Sequence, residues 1–273
     1  MEVLTLVDNV VYGEGLIGEH GSSFLIKVRD KKILFDTGQT SAFIANADYL
    51  AEDLTDVDMV VLSHGHYDHC GGLEAFLEIN QSAKIYFKPK AIVDKYSQRN
   101  GALHAVGFKL KKPMSAYPNA FVPIDEDMEI FEGIHLITTI HTYTHDLVDT
   151  SRFFVKDEMN FVQDPFNDEL FLWIVEDNQT TLFTGCSHKG ILNILKTAYE
   201  NNHHAPIHYV FGGMHFSGSL LSHLDQYLMQ FNMFGIKKLY VNHCTGIDGY
   251  MRLKMKYPQS VTYAFTGFHV EIG

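Results

Sequence analysis

The sequence predicts an α/β protein built as a four-layer αββα sandwich, with two mixed sheets packed face to face and helices outside. Three observations predict it. Short β-rich runs alternate with amphipathic stretches along all 273 residues, in two halves of similar make-up. No linker or low-complexity segment interrupts them. Apolar runs also end repeatedly in ligand-type side chains, as strands do where an α/β fold gathers its chemistry along one sheet edge. Two sheets that each bury one face against the other, with helices covering the outer faces, satisfy all three. The halves share no recognisable sequence repetition.

Taken in order, Glu2–Val10, Ser23–Val28 and Lys32–Phe35 read as strands, with Gly13, Gly15, Gly18 and Gly21 marking the turns. Thr40 is placed to cap a helix running to about Leu50, since Phe43, Ile44, Ala47 and Leu50 recur at helical spacing. Asp58–Leu62 is a buried strand, Leu73–Ile79 a short helix and Lys84–Phe87 a strand. Residues 88–121 break the rhythm. The stretch is rich in lysine, including Lys109, Lys111 and Lys112, and reads as a partly helical, lid-like insertion within one domain spanning 1–273. In the second half, Met128–Phe131, His135–Ile140, Leu170–Glu176, Thr181–Phe183, Ile207–Phe211 and Lys238–Val241 are strands. Ile191–Tyr199 and Leu220–Phe234 are helices.

With 46% hydrophobic residues the chain can bury a large core, as one domain or two small ones. The N-terminus lacks a basic n-region and a cleavage site, and no apolar run approaches the ~20 residues that span a bilayer, so a cytoplasmic protein without a membrane partner is expected. Cys70, Cys186 and Cys244 are odd in number and far apart, which favours metal chemistry over a disulfide framework. A net charge of −12 opposes a broad phosphate-tracking surface, so no nucleic-acid partner is expected. It leaves room for a small anionic substrate, because divalent cations invert a local field. A homo-oligomer is left open.

The densest chemistry lies in Ser63-His64-Gly-His66-Tyr-Asp68-His69-Cys-Gly-Gly72. Directly after an apolar strand, His64 and His66 can point to one side and hold one divalent ion, while Asp68 and His69 face a second. Imidazole and carboxylate ligands suit zinc, iron or manganese, and two ions about 3.5–4 Å apart can share and deprotonate a water near neutral pH. Further ligand-type residues close other strands: Asp36 in Leu34-Phe-Asp-Thr-Gly38, Cys186 and His188 in Gly185-Cys-Ser-His188, and His243 with Cys244 in Asn242-His-Cys-Thr-Gly246.

In this order, the Asp36 turn, the His-x-His-x-Asp-His motif, Gly185-Cys186 and His243 resemble the metallo-β-lactamase superfamily over essentially the whole chain. Glu19-His20-Gly21, Gly212-Gly-Met-His215 and His243-Cys-Thr-Gly246 narrow the resemblance to metal-dependent hydrolases similar to an archaeal dihydropterin–ribofuranosylaminobenzene phosphate synthase. The resemblance implies that His64 and His66 hold the first ion, that Asp68, His69 and His243 hold the second, and that Asp36 orients the histidine loop. Cys186 stands where many relatives carry a bridging aspartate; a thiolate there favours zinc over the harder ions. For the remaining ligand of the first ion His188 is preferred, two positions from Cys186 at a helix start, with His141, His145, Asp164 and Asp168 as alternatives. The expected cofactors are two divalent ions, zinc first and then iron or manganese.

The expected activity is hydrolysis of a small, anionic, phosphorylated or ester/lactone metabolite by metal-activated water. Asp68 takes the proton and His215 serves the leaving group or an anionic substrate group. No G-x-S-x-G elbow offers a serine alternative. The rival readings are an iron-dependent oxidoreductase on the same fold, a phosphodiesterase or nuclease, and a non-enzymatic metal-binding sensor with a closed, fully coordinated site.

Overall fold

A computed structural model describes residues 1–144, 148–216 and 220–273, with the side chains of 220–223 and 226 outside the description. The chain forms two compact units: residues 1–125, 151–168 and 265–273 in unit 1, and 126–150 and 169–264 in unit 2.

Unit 1 is organised by a seven-stranded sheet of β1 (Glu2–Val7), β2 (Ser23–Val28), β3 (Lys31–Phe35), β4 (Met59–Val61), β5 (Lys84–Phe87), β8 (Phe121–Pro123) and β18 (His269–Glu271), ordered β18-β1-β2-β3-β4-β5-β8. From β18 to β3 the pairings are antiparallel, and from β3 to β8 they are parallel. The β4 residues Met59, Val60 and Val61 are all buried, as the central strands of parallel sheets are on both faces. Helices α1 (Ala42–Tyr49) and α3 (Leu73–Ile79) contribute Phe43, Ala47, Leu73, Phe76 and Leu77 to the core shared with Leu6, Leu34, Val60 and Ile85. Ser41 occupies the α1 cap position without a side-chain bond. Thr40 sits one residue earlier, where its hydroxyl accepts the Ala42 N–H and donates to Glu19.

A second, four-stranded sheet belongs to the same unit: β6 (Lys95–Arg99), β7 (Ala102–Ala105), β11 (Phe153–Asp157) and β12 (Asn160–Gln163), ordered β12-β11-β6-β7 and antiparallel throughout. The stretch 88–121 thus forms the β6–β7 hairpin between one-turn 3₁₀ segments at Pro89–Ile92 and Met114–Ala116.

Unit 2 carries the other seven-stranded sheet: β9 (Met128–Phe131), β10 (Ile134–Ile137), β13 (Phe171–Glu176), β14 (Gln179–Thr184), β15 (Tyr209–Gly212), β16 (Lys238–Val241) and β17 (Val261–Tyr263). Read from β9 in the order β9-β10-β13-β14-β15-β16-β17, it has three antiparallel pairings and then three parallel ones. Unit 1 shows the same sequence of pairings, so the two halves repeat a topology without repeating a sequence. Helix α4 (Ile191–Asn201) buries Ile191, Leu192, Ile194, Leu195 and Ala198. The helix expected to reach Phe234 is α5 (Leu220–Met229) followed by a 3₁₀ stretch, ended by Gly235 at φ +69°. Helix α6 (Gly246–Lys256) completes the unit.

An aromatic ladder sets the register of the parallel strands. Phe183, Phe211 and Tyr240 are direct neighbours on β14, β15 and β16. Their rings stack at 4.8 Å and 4.4 Å, with interplanar angles of 13° and 16°. Such ring pairs add to area burial, and a slipped register would break both. Replacing the fully buried Phe211 with Ala should cost about 3–5 kcal/mol, read as a lower urea midpoint at unchanged m-value, while Phe211→Leu should cost clearly less.

Candidate metal centre

Two sets of ligand-type side chains close the strands of the two large sheets. In unit 1 the set starts from Asp36, immediately after β3. This residue is fully buried and adopts a left-handed backbone at φ +59°, which short polar side chains tolerate better than most. Its Oδ1 accepts the Ser63 N–H at 2.7 Å, and its Oδ2 accepts the Ser63 hydroxyl and His69 Nδ1, each at 2.7 Å. One carboxylate therefore holds both ends of the loop that follows β4. Because His69 donates from Nδ1, its Nε2 carries the ligating lone pair. Ser63 Oγ lies 2.9 Å from His64 Nδ1, which turns His64 Nε2 the opposite way.

His64 Nε2 and His66 Nδ1 are 3.1 Å apart. Two nitrogens bound tetrahedrally to one zinc at 2.0–2.1 Å lie about 3.3 Å from each other, so this pair fits a shared divalent ion. His64, His66, Asp68 and His69 are all buried. Burial, aided by neighbouring histidines, pushes the His64 pKa well below its ordinary value; burial brings that of His66 to about 3. Both rings are therefore neutral at pH 7, the state in which imidazole binds metal. Cys70 donates its thiol to the His64 carbonyl at 2.9 Å, and burial, with Asp36 nearby, raises its pKa. It is a protonated support for the loop.

His66 is the cap residue of the one-turn helix α2 (Tyr67–Cys70), which carries Asp68 and His69. Its ring packs against Phe153 and Phe166, at 5.2 Å and 5.8 Å. Between the two histidines, Gly65 passes so close to residue 91 that a Cβ would sit 1.9 Å from the Ala91 carbonyl oxygen. The Gly65 N–H donates to Asp168 Oδ2 at 2.7 Å. Asp168 Oδ1 and Asp164 Oδ2 accept from Lys95 Nζ at 2.9 and 2.6 Å, and all three charges are buried. Burial pulls the Lys95 pKa down, but its two carboxylates more than offset this, while burial raises Asp164. Asp164 and Asp168, alternatives for an ion ligand, are thus engaged in bracing the loop. His20, half exposed, places Nε2 3.1 Å from Asp68 Oδ2. A cavity of about 320 Å³ in this unit is lined by Lys90, Lys95, Lys156, Gln163, Asp164 and Asp168 among others. Lys109 and Lys111 lie at the surface, paired with Asp94 and Glu74.

In unit 2, Cys186, His188, His215 and His243 follow β14, β15 and β16 and are buried. Ser187, His215 and His243 all have positive φ, at +59°, +46° and +47°. Non-glycine residues in this region cost free energy and cluster where function demands them. Here they lie just past the ends of consecutive strands. Glu169 accepts the N–H groups of His188 and Lys189 at 2.6 and 2.7 Å, and Ser187 donates to the Gly213 carbonyl at 2.6 Å. The His188 and His215 rings lie 4.6 Å apart, and one donor atom each from Cys186, His188 and His215 falls within 4.8 Å of the others. Cys186, His243 and Cys244 form a second such group. His141 is exposed beside Tyr143, in neither group, and His145 lies outside the described residues. Cys244 stood among the ligand-type residues of the sequence, with no ion assigned to it. The Lys95 bracket left no signal beyond two acidic residues in a turn.

Two outcomes follow from the buried charges of unit 1. Lys95→Ala leaves two carboxylates buried without their cation and should cost about 3–5 kcal/mol in urea unfolding at pH 7, with part of the loss recovered as the pH is lowered and Asp164, its pKa already raised by burial, takes up a proton. In metal-free protein, native His66 stays neutral down to about pH 3 whereas its unfolded counterpart protonates near 6.5. The unfolded state then binds more protons in that window. Stability is fully present above pH 6.5 and falls below it, by up to about 1.4 kcal/mol per pH unit for each such histidine. The urea midpoint of wild type should drop between pH 7 and 4.5, and less steeply in His66→Ala.

The sequence profile described as metallo-beta-lactamase superfamily matches residues 16–161. An uncharacterised protein of Methanocaldococcus jannaschii is 30% identical over 252 residues, covering 91% of this chain and 92% of its own. The same organism's 7,8-dihydropterin-6-methyl-4-(β-D-ribofuranosyl)-aminobenzene-5′-phosphate synthase is 26% identical over 258 residues, covering 90% and 88%. Among solved structures, Tm1679, described as a metal-dependent hydrolase of the β-lactamase superfamily, superposes with a TM-score of 0.86 at 30% identity, over 100% of this chain and 99% of that one. No helix among the described residues is long and apolar enough to cross a membrane. With its fold, its histidine loop and these relatives in agreement, the chain belongs to the metallo-β-lactamase superfamily.

Proposed function

We propose that this chain is a metal-dependent hydrolase of a small anionic metabolite, phosphorylated or carrying an ester or lactone. The observation that carries the reading is the unit 1 loop: neutral, buried histidines with two nitrogens at ligand spacing, clamped by a carboxylate that accepts from a third. A structure built to this degree around unprotonated imidazoles supports an ion as its purpose. The hydrolase description of Tm1679 supports the reaction class. The phosphorylated ribose in the name of the M. jannaschii relative, together with the exposed Lys90 and Lys156 at the unit 1 cavity, supports an anionic substrate.

In this reading His64, His66, Asp68 and His69 would be the metal ligands of unit 1, and Cys186, His188 and His243 those of unit 2. Ions bound there supply an acidified water and a Lewis acid for a carbonyl or phosphoryl oxygen. The protein's groups do the rest. Asp36 fixes the tautomer and direction of His69. Asp68 accepts the proton, and His20, 3.1 Å from it and half exposed, relays that proton to solvent. His215 protonates the leaving group.

Zinc-loaded protein should hydrolyse members of a panel of phosphodiester, lactone and thioester substrates. His66→Ala should lower kcat/KM by about 10³-fold or more, with far-UV circular dichroism unchanged. Wild-type turnover in metal-stripped His66→Ala would refute the reading. Asp36→Asn should weaken zinc binding about 10–100-fold in competition with a chromophoric chelator.

A further inference from the structure

We propose that Cys244 is a metal ligand, so that the ion held by His243 is bound by two thiolates, from Cys186 and Cys244. This rests on the metal-centre reading above and specifies the class of ion it takes. Three features of unit 2 point to it.

First, one donor atom each from Cys186, His243 and Cys244 lies within 4.8 Å of the other two. Two sulfurs and a nitrogen on a common zinc, at about 2.3 and 2.0 Å, lie about 3.5–3.8 Å from one another, so binding requires the group to close by at most about 1.3 Å. Second, the backbone makes room for the second sulfur. Gly213 lies beside the Cys244 side chain, where a Cβ would sit 2.3 Å from Sγ and 2.8 Å from the Gly185 carbonyl oxygen. Any other residue at 213 would push the thiol out. Third, the turn carrying these residues holds the thiol beside Cys186. His243 at φ +47° opens the 3₁₀ turn His243–Thr245, and Gly246 at φ +67° closes it. The Cys244 thiol donates to the Cys186 carbonyl oxygen at 3.4 Å, which holds its sulfur beside Cys186.

Two thiolates change the selectivity of the site. Thiolate-rich donor sets favour zinc and reject magnesium, calcium and manganese, whose preferred ligands are oxygens. The site should therefore keep zinc when challenged with a large excess of manganese.

Cobalt(II) loaded in place of zinc under reducing conditions reports the ligands directly, since each cobalt–thiolate bond adds charge-transfer absorption in the near ultraviolet. Wild type should show a two-thiolate band. Cys244→Ser and Cys186→Ser should each lose about half its intensity, and the double variant all of it. X-ray absorption of the unmodified zinc protein should count two sulfurs per chain at about 2.3 Å, independently of how the variants fold. A full-intensity band in Cys244→Ser, or one sulfur per chain, overturns the role of Cys244 while leaving the metal centre in place. Failure of wild type to take up cobalt or zinc overturns the metal-centre reading and this inference with it.

Discussion

The geometry of unit 1 depends on one buried carboxylate. Asp36 accepts from the backbone and hydroxyl of Ser63 and from His69 Nδ1, so it ties the end of β3 to both ends of the histidine loop after β4. An uncompensated carboxylate at 0% exposure would be expensive; three donors satisfy it. The same three bonds fix the tautomer of one imidazole and the position of the residue preceding another. Stability and ligand geometry are here the same interactions, so removing Asp36 should be felt in both metal affinity and fold.

A second bracket holds the middle of the loop. Asp168 accepts from Gly65, the residue between His64 and His66, and is itself held by Lys95 together with Asp164. The loop is pinned at Ser63, Gly65 and His69, leaving little freedom in the histidines between. This arrangement spends a buried ion triad, a device that rarely adds net stability but sets position well. Unit 2 uses backbone instead. The ends of β14, β15 and β16 each pass through a positive-φ residue, and the Phe183–Phe211–Tyr240 stack fixes where along the strands those turns fall. The two large sheets share the order of their pairings, so Asp36 and Cys186 both end the fourth strand, and the histidine loop and His215 both follow the fifth.

Much of this was legible in the amino-acid sequence, for physical reasons. The central strands are apolar on both faces, so Asp58–Leu62 and Lys238–Val241 stand out from their surroundings, and six positions containing four ligands leave few readings other than metal. The smaller sheet was not legible. β7 and β12 are exposed at every residue and β6 begins with a buried lysine, so no apolar alternation marks them. Helix α6 buries only Gly249 and Leu253, too little to produce a helical stripe. The Lys95 triad joins residues about seventy positions apart, and no local pattern can announce a pairing made by tertiary structure. Cys244 was legible as a ligand-type side chain beside His243, but its nearness to Cys186 and Gly213 is made by tertiary structure and leaves no local pattern.

The most direct test of the central claim is anomalous diffraction at the zinc edge from crystals of protein purified with zinc. The account predicts anomalous peaks within about 2.0–2.3 Å of nitrogen atoms of His64, His66 and His69. Crystals that take up zinc only elsewhere, or leave these imidazoles bonded to protein groups alone, would contradict it.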